Sequence, residues 1–128
     1  MTWEEAPGFL AVLEAGFLLA EEIGAHEAAA LLREKLDQPG SGIQHPELPN
    51  VSSRPGEYPA RQFDKLINSI DAQLISGVWA FGSFNAPVEA FELEYPPPGH
   101  VARPWLSKFL ADPLLRERVF KSMSEVLS

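Results

Sequence analysis

Ser69-Ile70-Asp71-Ala72-Gln73-Leu74-Ile75-Ser76-Gly77-Val78-Trp79-Ala80-Phe81-Gly82 is the stretch that decides the fold. Ser69, Asp71 and Gln73 alternate with Ile70, Ala72 and Leu74, the period of two that marks a half-buried strand. Ser76-Gly77 reads as a two-residue turn. Val78-Trp79-Ala80-Phe81 is a second strand, apolar on both faces and ended by Gly82. The two predict an antiparallel hairpin. Trp79 and Phe81 share one face, where large aromatic side chains belong to a core or to a subunit interface. A strand apolar on both faces offers more than a small monomer needs, and exposed apolar patches mark interfaces.

Downstream, Asn85-Ala86-Pro87 opens a short segment, Val88 to Tyr95, that reads as helix or strand and is punctuated by Glu89, Glu92 and Glu94. Pro96-Pro97-Pro98-Gly99 is rigid and extended, then turns. Arg103-Pro104-Trp105 starts a helix carrying Leu106, Phe109 and Leu110. Asp112-Pro113 is an N-cap followed by proline at the first helical position. Leu115, Val119, Met123 and Val126 then predict a final amphipathic helix.

Upstream, Thr2 and Glu5 have the spacing of a capping box, and Pro7 offers a second helix start. Leu10, Leu13 and Phe17 recur at helical spacing, and Leu18, Leu19 and Ile23 widen the stripe. This predicts an N-terminal helix. Gly24, which costs about 1 kcal/mol relative to alanine, is a point where it would split. Ala28 to Leu36 resumes strong helix formers, with Arg33 and Lys35 near the negative end of the dipole. Gln38-Pro39-Gly40 ends it. Residues 39–62 then hold Pro39, Pro46, Pro49, Pro55 and Pro59 with Gly40, Gly42 and Gly56. A loop of this length is uncommon in a compact domain. It reads as a surface loop or as an extended arm that orders against a neighbouring subunit. The expectation is one α+β domain over residues 1–128: N-terminal helix, long loop, small antiparallel sheet, C-terminal helices.

With 128 residues, of which 45% are hydrophobic, the chain suffices for one core. It has no cysteine, so disulfides and thiolate metal sites are excluded. Its 18 acidic and 10 basic side chains leave a net charge of −8. A reader of nucleic acid carries a basic face, and here the densest basic group is only Arg116, Arg118 and Lys121. The acidic start, Met1-Thr2-Trp3-Glu4-Glu5, is unlike the basic start of a signal peptide, and Phe9 to Ala20 is too short to cross a bilayer. These readings lead to expectations of a soluble protein with no membrane partner.

No catalytic constellation is legible, and the expectation is a non-enzyme without cofactor or metal. His26 lies among alanines, and His45 and His100 lie in proline-rich loops without a partner motif. Glu92 and Glu94 would share a face on a strand, but no apolar pocket is placed to raise one pKa. Gly40-Ser41-Gly42 lacks the third glycine and the flanking strand and helix of a dinucleotide fingerprint.

Three stretches do resemble a known family. Arg54-Pro55-Gly56-Glu57-Tyr58-Pro59-Ala60, followed by Lys65-Leu66-Ile67-Asn68-Ser69-Ile70, is similar to a conserved passage in the tail-component family of long-tailed double-stranded DNA bacteriophages, which comprises tail-completion, head–tail joining and neck proteins. Val78 to Ser83 with Ala86 to Leu93 resembles that family's next segment. Ala102-Arg103-Pro104-Trp105-Leu106 resembles the start of its last helix. Order and spacing match from about Ser41 onward. Phe63-Asp64, Val88 and Leu93-Glu94 depart from the pattern. The resemblance implies a structural virion protein of the neck or upper tail, assembled in the host cytoplasm. Its partners would be copies of itself in a ring, commonly of six, and other neck or tail proteins, with DNA passing through the lumen without specific binding. The residues expected at the subunit interface are Arg54, Gly56, Glu57, Pro59, Trp79, Phe81, Glu92 and Arg103. The alternative is an acidic immunity protein or antitoxin that caps a basic partner, for which the sequence basis is small size and charge. A small hydrolase using Glu92 or His100 has no motif behind it.

Overall fold

A computed structural model describes residues 1–6, 8–54, 57–61, 64–85, 88–99 and 102–127, with only the backbone of Glu89. The readings made on Pro7, Pro55, Gly56, Pro87 and His100 lie outside the described residues.

The fold is α+β. Its strands are β1 (Thr2–Ala6), β2 (Leu10–Glu14), β3 (Ile70–Ile75) and β4 (Val78–Ser83). Its helices are α1 (Leu18–Leu36), α2 (Lys65–Ser69), α3 (Val88–Glu94), α4 (Leu106–Ala111) and α5 (Pro113–Leu127). The strands form one antiparallel sheet in the order β1-β2-β4-β3.

The central hairpin is where the alternation put it. Ser76 and Gly77, both at positive φ, make the turn between Ile75 and Val78. Ile70 and Ala72 of β3 and Phe81 of β4 join the core, together with Trp3 of β1 and Ala11 and Leu13 of β2. This one face of the sheet is covered by α1, which packs against α5.

The N-terminus departs from the sequence reading. Residues 2–14 are a hairpin and not the first turns of a helix. Leu10-Ala11-Val12-Leu13 is an unbroken apolar run, and periodicity alone does not separate strand from helix in such a run. The sheet decides: Ala11 and Leu13 are fully buried on the helix-covered face, while Leu10 and Val12 point to the other. Gly8 and Phe9 at positive φ reverse the chain, and Gly16, also at positive φ, lies in the link to α1.

Helix α1 runs through Gly24 without a break. A Cβ at Gly24 would stand 2.6 Å from the Met123 sulfur, so this glycine lets α1 and α5 approach closely. Ala20, Ala25, Ala28 and Ala29 are buried on α1 too, and Leu115, Val119 and Met123 on α5. Arg33 does more than complement a helix dipole: its guanidinium donates to the Ile70 carbonyl through Nε at 3.1 Å and Nη2 at 2.9 Å.

Trp3 closes the other end of the core. Its ring lies 5.7 Å from Phe81, 5.6 Å from Phe109 and 5.7 Å from Phe120, centroid to centroid, and its Nε1 donates to the Leu110 carbonyl. Such offset aromatic contacts add about 0.5–1.5 kcal/mol each beyond buried area. Trp105, Leu106 and Phe109 are buried as the helix pattern predicts, and Asp112 caps α5 through the Leu114 N–H.

Candidate assembly surface

The three family-like stretches follow one another closely in sequence and pack together. Ser69 lies in the first and Ser83 in the second. Their hydroxyls are hydrogen-bonded at 2.7 Å and buried. Since Ser69 donates to the Leu66 carbonyl, Ser83 is the donor of this pair. The third stretch joins the second. The Arg103 N–H donates to the Leu93 carbonyl at 2.8 Å, and the Trp105 indole donates to the Ala90 carbonyl at 3.0 Å. The Arg103 guanidinium reaches back to Ser53, donating to its hydroxyl at 3.0 Å and its carbonyl at 3.2 Å.

Glu94 supplies the most concentrated polar contact. A short helix such as α4 starts with unpaired N–H groups, and α4 has no side-chain cap of its own. The Glu94 carboxylate accepts from the N–H of Trp105 at 2.9 Å, Leu106 at 2.7 Å and Ser107 at 3.1 Å, and from the Ser107 hydroxyl at 3.0 Å. Residues 88–94 are helical, so the strand-like pairing of Glu92 with Glu94 does not occur. Glu92 is exposed.

The long loop folds back on its own chain and is not an extended arm. Gly40 N–H donates to Val51, Gly42 to Ser52 and Ser52 to Ile43, while Arg61 N–H closes the base on Gln38. A Cβ at Gly40 would collide with the Ser52 carbonyl, so glycine is required at this approach. The Glu57 carboxylate accepts from the Arg54 and Ser41 N–H groups and the Ser41 hydroxyl. Those bonds, in that order, hold its pKa below the ordinary carboxylate range. Arg61 pairs with Asp64 at 2.9 Å and with Asp37, and both raise its pKa. Pro59 is buried. The Tyr58 ring lies 5.2 Å from the Lys108 Nζ, and its hydroxyl is buried with no hydrogen-bond partner among the described residues. Burial, then the Asp112 charge, push its pKa up to about 12.

Two open clefts border this loop. One of about 390 Å³ is lined by Gly42, Ile43, His45, Ser52, Ser53, Arg54 and Arg103. The other, of about 560 Å³, has walls of both charges, with Glu34 and Glu57 facing Lys35, Lys108 and Arg118. Cationic walls of this kind can receive carboxylates of another surface. Among the described residues, no three histidine, aspartate or glutamate side chains come together as a metal site, and no helix is long and apolar enough to cross a membrane.

The expected interface residues therefore separate. Phe81 is 0% exposed and belongs to the core. Trp79 is half-buried and packs against the core, its ring 5.4 Å from that of His26. Arg54 and Glu92 are exposed, while Glu57, Pro59 and Arg103 are engaged within the loop and its anchor. The apolar surface that sequence reasoning missed lies elsewhere. Leu74, Ile75 and Val78 are exposed at the hairpin tip, and Phe17, Leu18 and Leu19 at the start of α1. The ladder puts the tip at the same end of the sheet as Glu14, from which the chain enters α1. A second exposed cluster is Phe91 and Tyr95, whose ring centroids lie 5.9 and 6.1 Å from that of Phe9, the first edge-on and the second tilted. The signal was in the sequence, as Phe17-Leu18-Leu19, but a strand–helix junction cannot be seen to be uncovered until its neighbours are placed.

Comparison of the chain with protein families, with characterised proteins and with solved structures finds no match.

Proposed function

We propose that this protein is a structural subunit of a tailed-phage particle, a ring-forming tail-completion, tail-terminator or head–tail joining protein around the DNA channel. The observation that carries the reading is the convergence of the three family-like stretches on one another through Ser69–Ser83, Trp105–Ala90 and Arg103–Leu93. The family-like residues thus belong to one packed unit of the fold. Support also comes from Phe17, Leu18, Leu19, Leu74, Ile75 and Val78, large apolar side chains exposed toward one end of the sheet, because such side chains are commonly covered in an assembly. The net charge of −8 suits a lumen through which DNA slides without sticking.

Electron microscopy of the purified protein tests the reading, with rings expected. Deleting the gene from its phage should leave heads unjoined to tails or tails of irregular length. Normal virions from the deletion would refute it. Tight one-to-one capture of a basic partner encoded next door would instead favour the immunity-protein alternative.

A further inference from the structure

Among the described residues no further strand pairs with the outer side of β1 or the outer side of β3. On an edge strand the N–H and C=O groups of every second residue point outward. The Ser83 N–H donates to Phe9, so the residues of β2 that face β4 are 9, 11 and 13. Leu10, Val12 and Glu14 therefore face β1, and on β1 the outward residues are Trp3 and Glu5, the partners of Leu13 and Ala11. On the other side, the Phe84 N–H donates to Ser69, which puts Ile70, Ala72 and Leu74 outward. Two side chains agree: Arg33 donates to the Ile70 carbonyl, and the Asp71 carboxylate accepts the Ala72 N–H.

These two edges match each other. All strand pairs are antiparallel and there are four strands, so β1 and β3 run in opposite directions. A second copy placed beside β3 in the same orientation therefore presents its β1 antiparallel to β3. The parity matches as well. Outward residues on both edges, Trp3 and Glu5 on one and Ala72 and Leu74 on the other, lie on the helix-covered face of the sheet. Facing residues of an antiparallel pair share a face, so Leu74 opposite a neighbour's Trp3 forms a hydrogen-bonded pair, and Ala72, whose N–H its own Asp71 holds, offers the neighbour's Glu5 its carbonyl alone. A mismatch in direction or in parity would have forbidden this register.

Charge agrees with it. Glu5 is exposed, and in this register it comes beside Arg33, whose guanidinium lies 3.8 Å from Asp71. Half of the β3 edge is closed by its own chain, through Arg33 on Ile70 and Asp71 on Ala72. The half toward the tip is uncharged, without proline or bulge, and carries the exposed Leu74 and Ile75. Edge strands left this way are templates for strand addition.

We propose that the tip half of the β3 edge is a docking surface for β1 of a second copy, so that one sheet continues from subunit to subunit, head to tail. Such a heterologous joint closes into a ring when its rotation closes. The inference rests on the ring reading above and specifies its interface.

Disulfide trapping tests the register. Gln73 and a neighbour's Glu4 would be a non-hydrogen-bonded pair, with Cα atoms roughly 4.5 Å apart, close enough for a disulfide. Within one chain they lie on opposite edges, three strand spacings or roughly 14 Å apart. The chain has no cysteine of its own. Under mild oxidation the double variant Gln73→Cys/Glu4→Cys should give a ladder of covalent dimers, trimers and higher species on non-reducing gels, and neither single variant should. Leu74→Pro, which removes only an outward N–H, should keep the circular dichroism of the parent and raise the half-assembly concentration at least tenfold in sedimentation. Rings without a ladder, and insensitive to Leu74→Pro, would overturn this interface while leaving the ring reading intact. A wild-type protein monomeric at all concentrations would overturn the interface too, and the gene-deletion phenotype would then decide the ring reading by itself.

Discussion

The loop of residues 38–61 and the segment of residues 90–127 are both interrupted by prolines, yet they are held by different physics. The loop is held by polar groups: Glu57 on two backbone N–H groups, Arg61 between Asp37 and Asp64, and glycines that let backbone approach backbone. The C-terminal segment is held by burial, with Trp105, Leu106, Phe109, Val119 and Met123 inside the core. The difference is one of cooperativity. Burial ties a residue to the whole domain, whereas an exposed hydrogen-bonded loop can open locally at small cost.

The largest break should come from the buried side. Trp105→Ala removes a wholly buried indole and its bond to Ala90, and should cost about 3–5 kcal/mol in denaturant unfolding, with loss of the cooperative fold in a marginal background. An unchanged midpoint would mean that the segment is not part of the core. Glu94→Ala strips the cap from α4 and should cost about 1–2 kcal/mol, on the scale of a lost N-cap, with the same cooperative transition.

These two residues also show what the sequence disclosed. Trp105 was legible as core because helical spacing and burial statistics agree. Glu94 was not: its partners lie 11 to 13 positions later, and a carboxylate that caps a distant helix looks in sequence like any surface acid. The same holds for Arg33, which read as a dipole partner and instead closes the outer edge of β3.

Smaller effects belong to the loop. Gly40→Ala should open it, because a Cβ has no room beside Ser52. Limited proteolysis between residues 40 and 54 should quicken several-fold while the melting midpoint moves by less than about 1 kcal/mol equivalent. A comparable fall in global stability would show that the loop is part of the cooperative unit. Smallest is Tyr58→Phe, which removes a buried hydroxyl that has no partner among the described residues. It should be neutral or stabilise by up to about 1 kcal/mol. The pH dependence carries the same contact. Folding raises the Tyr58 pKa from 10.0 to about 12, so the neutral phenol is favoured in the folded state. Its contribution is complete below pH 10 and is lost as pH rises from about 10 to 12. Ultraviolet titration in a Tyr95→Phe background, where Tyr58 is the remaining tyrosine, should show this late ionisation.

By itself, the sequence determined the fold class, the central hairpin and its turn, and the two C-terminal helices with their break at Asp112-Pro113. These are local signals: alternation, capping and turn chemistry act over a few residues. Tertiary structure alone decided three things. It made strands of residues 2–14, because an apolar run such as Leu10–Leu13 takes its form from the surface it lies against. It turned Gly24 from a break into a helix contact through Met123, since a glycine's role depends on what approaches it. It fixed which groups on β1 and β3 face outward, because hydrogen-bond parity is a property of paired strands and no single strand carries it.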